Sequence, residues 1–197
     1  MAQYAKIATQ KVGDSRYADL NGDGIISATG DRGIMGKPLP DFTYGLTNDF
    51  TYGRFDLRIV AFAQTGGNVY SMIGRSIDRP GMGYLYNKLA IWKDRFQSVE
   101  KPGNGWVPSI TATTGSYYDT RWLYSSDYLR IKNITLGYNA PKIKGLSMLR
   151  VYLSLENLKI WHKYDGGLSP EALNDAGGDY GGYPQAKVLT LGVNAGF

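Results

Sequence analysis

The stretch Asp41-Phe-Thr-Tyr-Gly-Leu-Thr-Asn-Asp-Phe-Thr-Tyr52, then Gly53, then Arg54-Phe-Asp-Leu-Arg-Ile-Val-Ala-Phe-Ala-Gln64, decides the fold class. In its first half Phe42, Tyr44, Leu46, Phe50 and Tyr52 fall on alternate positions, interrupted only by Asn48. Asp41, Thr43, Gly45, Thr47, Asp49 and Thr51 fill the positions between them. Successive side chains of a strand point to opposite faces, so this pattern is a strand with one apolar and one polar side. Gly53 supplies a tight turn. Beyond it Phe55, Leu57, Ile59, Ala61 and Ala63 alternate with Arg54, Asp56, Arg58, Val60, Phe62 and Gln64, which makes the pair a long hairpin.

The same period returns three times. Tyr128–Asn139 sets Ile134, Leu136 and Tyr138 against Asn133, Thr135 and Gly137. Leu149, Val151, Leu153 and Leu155 alternate with Arg150, Tyr152, Ser154 and Glu156. At the end Leu189, Leu191, Val193, Ala195 and Phe197 alternate with Thr190, Gly192, Asn194 and Gly196. Most of these five strands run to about 11–13 residues, longer than the usual five or six of globular domains and long enough to cross a membrane at a tilt.

The connections alternate as well: short at Gly53, long over 66–126, short over 140–147 with Pro141, Lys142 and Lys144, long over 161–186. Outer-membrane barrels have short periplasmic turns and long extracellular loops. Residues 1–40, 66–126 and 161–186 are therefore expected outside, and Gly53 and 140–147 in the periplasm. Residues 1–40 are expected to be an ordered loop, and 41–197 the barrel strands with their two long loops. Within the first long loop Leu85, Leu89, Trp92 and Phe96 recur at spacings that predict one amphipathic helix, roughly Tyr84–Gln97.

Composition agrees. The 197 residues include 26 Gly, 16 Tyr and 4 Trp, as suits a β protein with many turns and aromatic girdles. Cysteine is absent and His162 is the one histidine, which argues against disulfides, thiolate metal sites and histidine-based triads. The net charge of +5 is spread along the chain, with no basic cluster suited to nucleic acid. No apolar run reaches the length of a membrane helix, and the polar start Met-Ala-Gln-Tyr-Ala-Lys has no secretory signal. Five strands cannot close a barrel, whose bacterial minimum is eight, and an open edge in lipid leaves backbone groups unpaired. The chain therefore reads as the carboxy-terminal piece of a larger barrel, or a truncated product.

One motif stands before the strands. Asp19-Leu-Asn-Gly-Asp-Gly-Ile25 has the first half of an EF-hand-type loop. Asp19, Asn21 and Asp23 would supply side-chain oxygens, Gly24 the sharp turn and Ile25 a backbone carbonyl. The closing acid is expected at residue 30, which is Gly30; Asp31 follows and would serve through a bulge. Oxygen-only donors favour calcium, as a structural ion that orders a surface loop. An Asx-rich turn without an ion is the plainer reading.

Taken in order, these stretches resemble SusC/RagA-type TonB-linked outer-membrane transporters, in their carboxy-terminal part. The matching segments are Tyr17-Ala-Asp-Leu-Asn-Gly-Asp-Gly-Ile-Ile, Gly36-Lys-Pro-Leu-Pro-Asp-Phe-Thr-Tyr-Gly-Leu, Phe55-Asp-Leu, Tyr128-Leu-Arg-Ile-Lys-Asn-Ile-Thr-Leu-Gly-Tyr, Leu149-Arg-Val-Tyr, Glu156-Asn-Leu, Gly182-Tyr-Pro and Thr190-Leu-Gly-Val-Asn-Ala-Gly-Phe. The likeness runs from about Arg16 to Phe197. It implies that the five strands are the last five of a 22-stranded plugged barrel. It also implies a SusD-like surface lipoprotein over the mouth, transport driven by TonB through an amino-terminal part absent here, and oligosaccharide or peptide cargo. The expected location is the bacterial outer membrane.

The long loops then offer Tyr117, Tyr118, Trp122, Tyr124, Tyr180 and Tyr183 as faces that stack on sugars or peptides, with packing of loop on loop as the plainer role. The Leu85, Leu89, Trp92 and Phe96 stripe reads as loop core before it reads as a partner groove. Phe197, with apolar residues at alternate positions before it, resembles the signal read by the outer-membrane assembly machinery. Arg150 and Glu156 suit a polar barrel interior, and Asp49 and Asp56 suit its periplasmic rim. No nucleophile–base set or metal–His cluster indicates an enzyme. The rival reading is a small secreted β module whose calcium loop helps it bind carbohydrate; a lone five-stranded sheet gives that module no second layer for its apolar face.

Overall fold

The computed structural model describes residue 7 and residues 9–80, 87–112, 118–174 and 177–197. The chain divides into two compact units, Met1–Gly36 with Ser71–Leu123, and Lys37–Tyr70 with Tyr124–Phe197. The sequence reading divides it near residue 40; packing instead joins the opening segment to most of the first long loop.

The second unit is built on long strands: β1 (Phe42–Tyr52), β2 (Phe55–Thr65), β5 (Tyr128–Asn139), β6 (Met148–His162) and β8 (Val188–Gly196). They form one antiparallel sheet in the order β1-β2-β5-β6-β8. Short strands β3 (Asn68–Ser71), β4 (Leu123–Ser125) and β7 (Gly178–Asp179) pair as a second sheet in the order β4-β3-β7. The β1–β2 turn is Gly53-Arg54, and Gly53 adopts φ +58, which suits glycine.

Register converts the sequence alternation into two continuous faces. Tyr52, Phe55, Tyr138, Val151 and Val193 stand side by side across all five strands. The next row on the same face is Phe50, Leu57, Leu136, Leu153 and Leu191. Toward the long loops Tyr44, Ala63, Leu129 and Trp161 form another row. Aromatics thus concentrate toward both ends, with mostly aliphatics between them. Tyr44 and Tyr52 are eight positions apart, about 26 Å along the strand, or about 20 Å in height once tilted. That is comparable with a barrel's apolar band. Phe42, Leu46, Phe50, Leu191 and Val193 are all more than half exposed, so among the described residues of this unit no second layer covers the face.

β6 runs further than the sequence alternation indicates. It continues through Trp161 and His162, which the reading assigns to the loop. The register slips between Val60 and Ala61 on β2 and between Ile131 and Asn133 on β5, and Asn157 of β6 lies in the left-handed region at φ +52. The bulge breaks the strict period while pairing continues beyond it.

The first unit contains α1 (Met72–Asp78). Ser71 caps it, its hydroxyl accepting from the Gly74 N–H at 2.9 Å. The helix stops at extended Arg79, whose successor Pro80 disfavours a helical residue before it. The helix expected over Tyr84–Gln97 is not what the described part of that segment forms. Leu85 lies outside the described residues, and the rest holds only a 3-10 turn, Ala90–Asp94. Leu89 and Arg95 are both extended and end the turn on either side, and Leu89 is exposed while Trp92 is buried. Among the described residues of this unit, Trp92, Val107, Ala112 and Trp122 belong to the buried apolar core.

Candidate functional site

The first unit carries a cleft of about 980 Å³. Arg16, Asp31, Arg32, Trp106, Tyr118 and Arg121 are among the residues that line it. Guanidinium and carboxylate groups mixed with exposed aromatic faces suit a ligand that is both hydroxyl- or amide-rich and flat in places.

Leu20 and Asp31, at the two ends of the 19–31 loop, are also among the lining residues. Asp19 accepts backbone N–H groups from Gly22 at 2.7 Å and Gly24 at 2.9 Å. Asp23 accepts from the Ile25 N–H at 2.8 Å, and the Asn21 side-chain amide donates to it at 2.8 Å. Gly24 is left-handed at φ +82, as the sharp turn requires. Asp31 reaches back to the loop's start: its two oxygens accept from Leu20 N–H at 2.8 Å and Ser27 N–H at 2.7 Å. Those N–H groups, Ser27 foremost, hold its carboxyl below the ordinary carboxylate range. Among the described residues no three His, Asp or Glu side chains gather into a metal-holding group. The five expected ligand positions, Asp19, Asn21, Asp23, Ile25 and Asp31, therefore share one loop whose carboxylates are bonded to its own backbone.

The aromatic candidates separate by exposure. Tyr118 is 61% exposed on the cleft, with the Arg75 guanidinium 4.7 Å from its ring centre. Trp122 is buried, with Arg121 stacked at 5.1 Å, and its ring belongs to the unit's core rather than to a ligand face. In the second unit Tyr124 meets the buried Tyr164 edge-on at 5.3 Å. Tyr180 and Tyr183 are exposed, Tyr183 almost fully. Tyr117 lies outside the described residues. Phe197 follows the last strand and is exposed.

Several groups escaped the sequence reading. Asp119 caps a second 3-10 turn, Thr120–Trp122, accepting the Arg121 N–H at 3.0 Å and the Tyr17 hydroxyl at 3.4 Å. Burial pushes its carboxyl above the ordinary range. Asp78, at the end of α1, accepts the indole N–H of Trp92, and burial raises it too. Lys88 donates to the Arg79 carbonyl at 2.8 Å and lies 5.0 Å from the Trp92 ring; burial lowers its pKa. In the second unit the Tyr164 hydroxyl donates to buried Asp179 at 2.6 Å, and Arg130 pairs with Glu171 at 2.8 Å. No period or motif marks these partners; Asp78 and Trp92, Tyr164 and Asp179, and Arg130 and Glu171 meet across 14, 15 and 41 positions of the chain.

The polar face of the sheet is a hydrogen-bonded network. Arg58 pairs with Asp49 at 2.7 Å, and Arg150 with Asp56. Asn133 donates to Ser154 at 2.9 Å, and Thr135 donates to Asn133 at 2.9 Å. A wetted lumen wall has this character, and Asp49 and Asp56 are thereby ion-pair partners.

No family model matches the chain. It is 34% identical over 206 residues to TonB-dependent receptor P3 of Formosa agariphila, an alignment that takes in 94% of this chain and 19% of the relative. It is 29% identical over 193 residues to TonB-dependent receptor SusC of Bacteroides thetaiotaomicron, across 93% of this chain and 18% of that protein. By sequence the chain is a relative of the TonB-dependent receptors, SusC among them. It spans about one fifth of the length of the curated relatives it matches. Its fold is shared with chains of the RagAB peptide importer, at TM-score 0.74 and 24% identity in the closed-closed state and 0.75 and 24% in the open-open state. These superpositions take in 87% and 88% of this chain, and 19% of each importer chain. The five long strands of the chain are thus a segment of a transmembrane antiparallel β-barrel wall.

Proposed function

We propose that this chain supplies wall strands and extracellular loops to a TonB-dependent importer of the bacterial outer membrane. One observation carries the reading. The sheet has a predominantly apolar face with aromatics toward both ends, a polar face laced with ion pairs, and two edge strands, β1 and β8, that each have one partner in it. Water does not favour that arrangement in a free-standing sheet; a barrel in lipid satisfies the apolar face, the lumen the polar face, and neighbouring strands the edges.

The cargo in this reading is an oligosaccharide or a peptide, met in part by the cleft of the first unit with its exposed Trp106 and Tyr118. The remaining barrel and plug, a SusD-like lipoprotein at the mouth and TonB acting through the plug complete the machine. Calcium belongs to the same proposal, as an ion ordering the 19–31 loop. Its supports are the order of oxygen donors and the return of Asp31 to Leu20, each carboxylate oxygen keeping a lone pair beyond its N–H contact.

The test is purification of the native receptor from outer membranes in mild detergent, with mass spectrometry of what comes with it. A large barrel portion and a SusD-like lipoprotein are expected. A folded monomer recovered alone from the soluble fraction would overturn the reading in favour of a secreted calcium-loop module.

A further inference from the structure

We propose that Lys159, with Lys132 and Lys187 beside it, holds the phosphate of an anionic glycolipid in the outer leaflet. The inference rests on the outer-membrane reading and goes beyond it, because it assigns a lipid site to particular side chains.

Lys159 belongs to the apolar face. It pairs with Ile131, which pairs with Ala61, which pairs with Leu46, so one row of that face reads Leu46, Ala61, Ile131, Lys159. Lys159 is exposed, as are Leu153 and Trp161 of the same strand and face. An ammonium in this place faces acyl chains unless it can climb out of them. The height of the row allows that. On β1, Leu46 lies six positions from Tyr52, the aromatic row at the short-turn end, and two from Tyr44, the row at the long-loop end. At about 3.3 Å per residue the steps are about 20 Å and about 7 Å along the strand. A lysine stem spans the shorter step and brings its ammonium to the headgroup level, the stem remaining against apolar surface. The long-loop end is the extracellular end of such barrels, so the headgroups are those of the outer leaflet.

Lys159 has company at that level. The register slip on β5 leaves Lys132 beside Ile131 without a single counterpart on β2, and Lys132 is exposed. On the other side β8 begins only at Val188, so Lys187 stands just outside its first residue and is exposed. The Asn157 side-chain amide donates to the Ala186 carbonyl at 2.8 Å, which ties that entry segment to β6. Bulge and strand entry thus place three exposed lysines on neighbouring segments, Lys132 on β5, Lys159 on β6 and Lys187 just before β8.

No ion pair among the described residues takes up their charge. The ion pairs among the described residues are Lys37 with Asp41, Arg58 with Asp49, Arg130 with Glu171 and Arg150 with Asp56, and none takes one of these lysines. Three of the four lie on the polar face or at its rim, where protein carboxylates answer protein cations. On the lipid side the complementary charge has to come from the membrane. A phosphate on the glycolipid supplies it at the height the ammonium groups reach.

The experiment uses the complete receptor, purified from outer membranes in mild detergent. Native mass spectrometry and phosphorus analysis measure retained glycolipid. Three proteins are compared: the unaltered receptor, Lys132→Gln with Lys159→Gln, and Lys142→Gln with Lys144→Gln, which removes the same charge at the short-turn end. Retention is expected to fall about fivefold per rim lysine removed and to stay unchanged in the turn variant. Re-addition of glycolipid with its phosphate enzymatically removed is expected to restore little, and millimolar inorganic phosphate is expected not to displace the bound lipid. Equal retention in all three proteins overturns the inference, as does equal loss in both variants. Full rescue by the phosphate-free glycolipid overturns it by showing that acyl chains alone suffice, and displacement by inorganic phosphate overturns it in favour of a free-anion site. Each of these leaves the outer-membrane reading standing; a receptor absent from outer-membrane fractions removes both.

Discussion

The Arg150 guanidinium on β6 reaches across β5 to the Asp56 carboxylate on β2, and Gly137 of β5 lies beneath the pair. The Nε–Oδ1 distance is 3.1 Å, and Asn139 adds a bond to the same oxygen at 3.0 Å. A Cβ at Gly137 would fall onto both charged groups. Glycine is therefore required on the middle strand so that two outer strands can be clamped over it. Gly137→Ala is expected to cost about 1–3 kcal/mol by forced overpacking, and Arg150→Met about 1 kcal/mol. Denaturant unfolding of the detergent-solubilised barrel checks both, and an unshifted midpoint for Gly137→Ala would contradict the clamp.

Trp92 gives its indole N–H to Asp78, and both are buried. Trp92→Phe keeps most of the ring and removes the donor. A buried carboxylate without its partner costs about 1–3 kcal/mol, so proteolysis between Ser71 and Leu123 should quicken severalfold. Asp78→Asn combined with Trp92→Phe should recover part of that loss, since the charge leaves with its donor. No recovery in the double variant would count against the pairing.

Acidity acts on this unit in two directions. Asp78 and Asp119 have folded-state pKa values raised by burial. A raised carboxyl binds its proton more tightly when folded, so its contribution to stability is complete below the unfolded value and is lost as pH rises through the folded one. Asp31 is lowered, so its contribution is present above the unfolded value and is lost as pH falls through the folded one. Protection of 71–123 from proteolysis should therefore grow as pH drops from neutral toward the ordinary carboxylate range, and that of 19–31 should fall below it. Asp78→Asn should flatten the first trend and leave the second. A 71–123 segment that loosens steadily from pH 7 to 5 would contradict the assignment.

Gly13 sits at φ +91 with the Phe96 ring where its Cβ would be, and its carbonyl accepts the Ser109 N–H at 2.7 Å. Gly13→Ala meets both a strained backbone and a clash, and should cost about 2 kcal/mol or more. Gly22→Ala has the strain at φ +78 but open space around it, and should cost less. Thermal unfolding monitored at the tryptophans compares the two, and equal losses would mean that the Phe96 contact carries nothing.

For the 19–31 loop, millimolar calcium should slow its cleavage, and Asp31→Asn should abolish the effect by removing the group that closes the loop on Leu20. Cleavage that ignores calcium in both proteins would leave an Asx-bonded turn that needs no ion.

The strands were legible because a sheet between lipid and lumen writes its environment into every second residue. Phe42 to Tyr52 and Val151 to Leu155 could be assigned to faces without a structure. The pattern fails where geometry departs from strict alternation: at Lys132 and Asn157 a bulge moves the phase, and β6 continues through Trp161 and His162, which the alternation assigns to the loop. The loops were less legible. Leu89, Trp92 and Phe96 have helical spacing, but Trp92 is placed by Asp78 and Phe96 by Gly13, both distant in sequence. The closing role of Asp31 was readable from loop spacing, while Arg16, Arg32 and Trp106 carry no local signal and become neighbours of one cleft only through folding.

The account turns on which face of the sheet meets lipid, and the chain has no cysteine, so single cysteines report on it directly. The measurement is labelling of β8 by a membrane-impermeant, water-soluble maleimide in intact outer membranes, with the complete receptor carrying one cysteine at a time. Cysteine in place of Leu189, Leu191 or Val193 should stay unlabelled, and in place of Thr190 or Asn194 should label. Uniform labelling along the strand would contradict a barrel wall and with it the account.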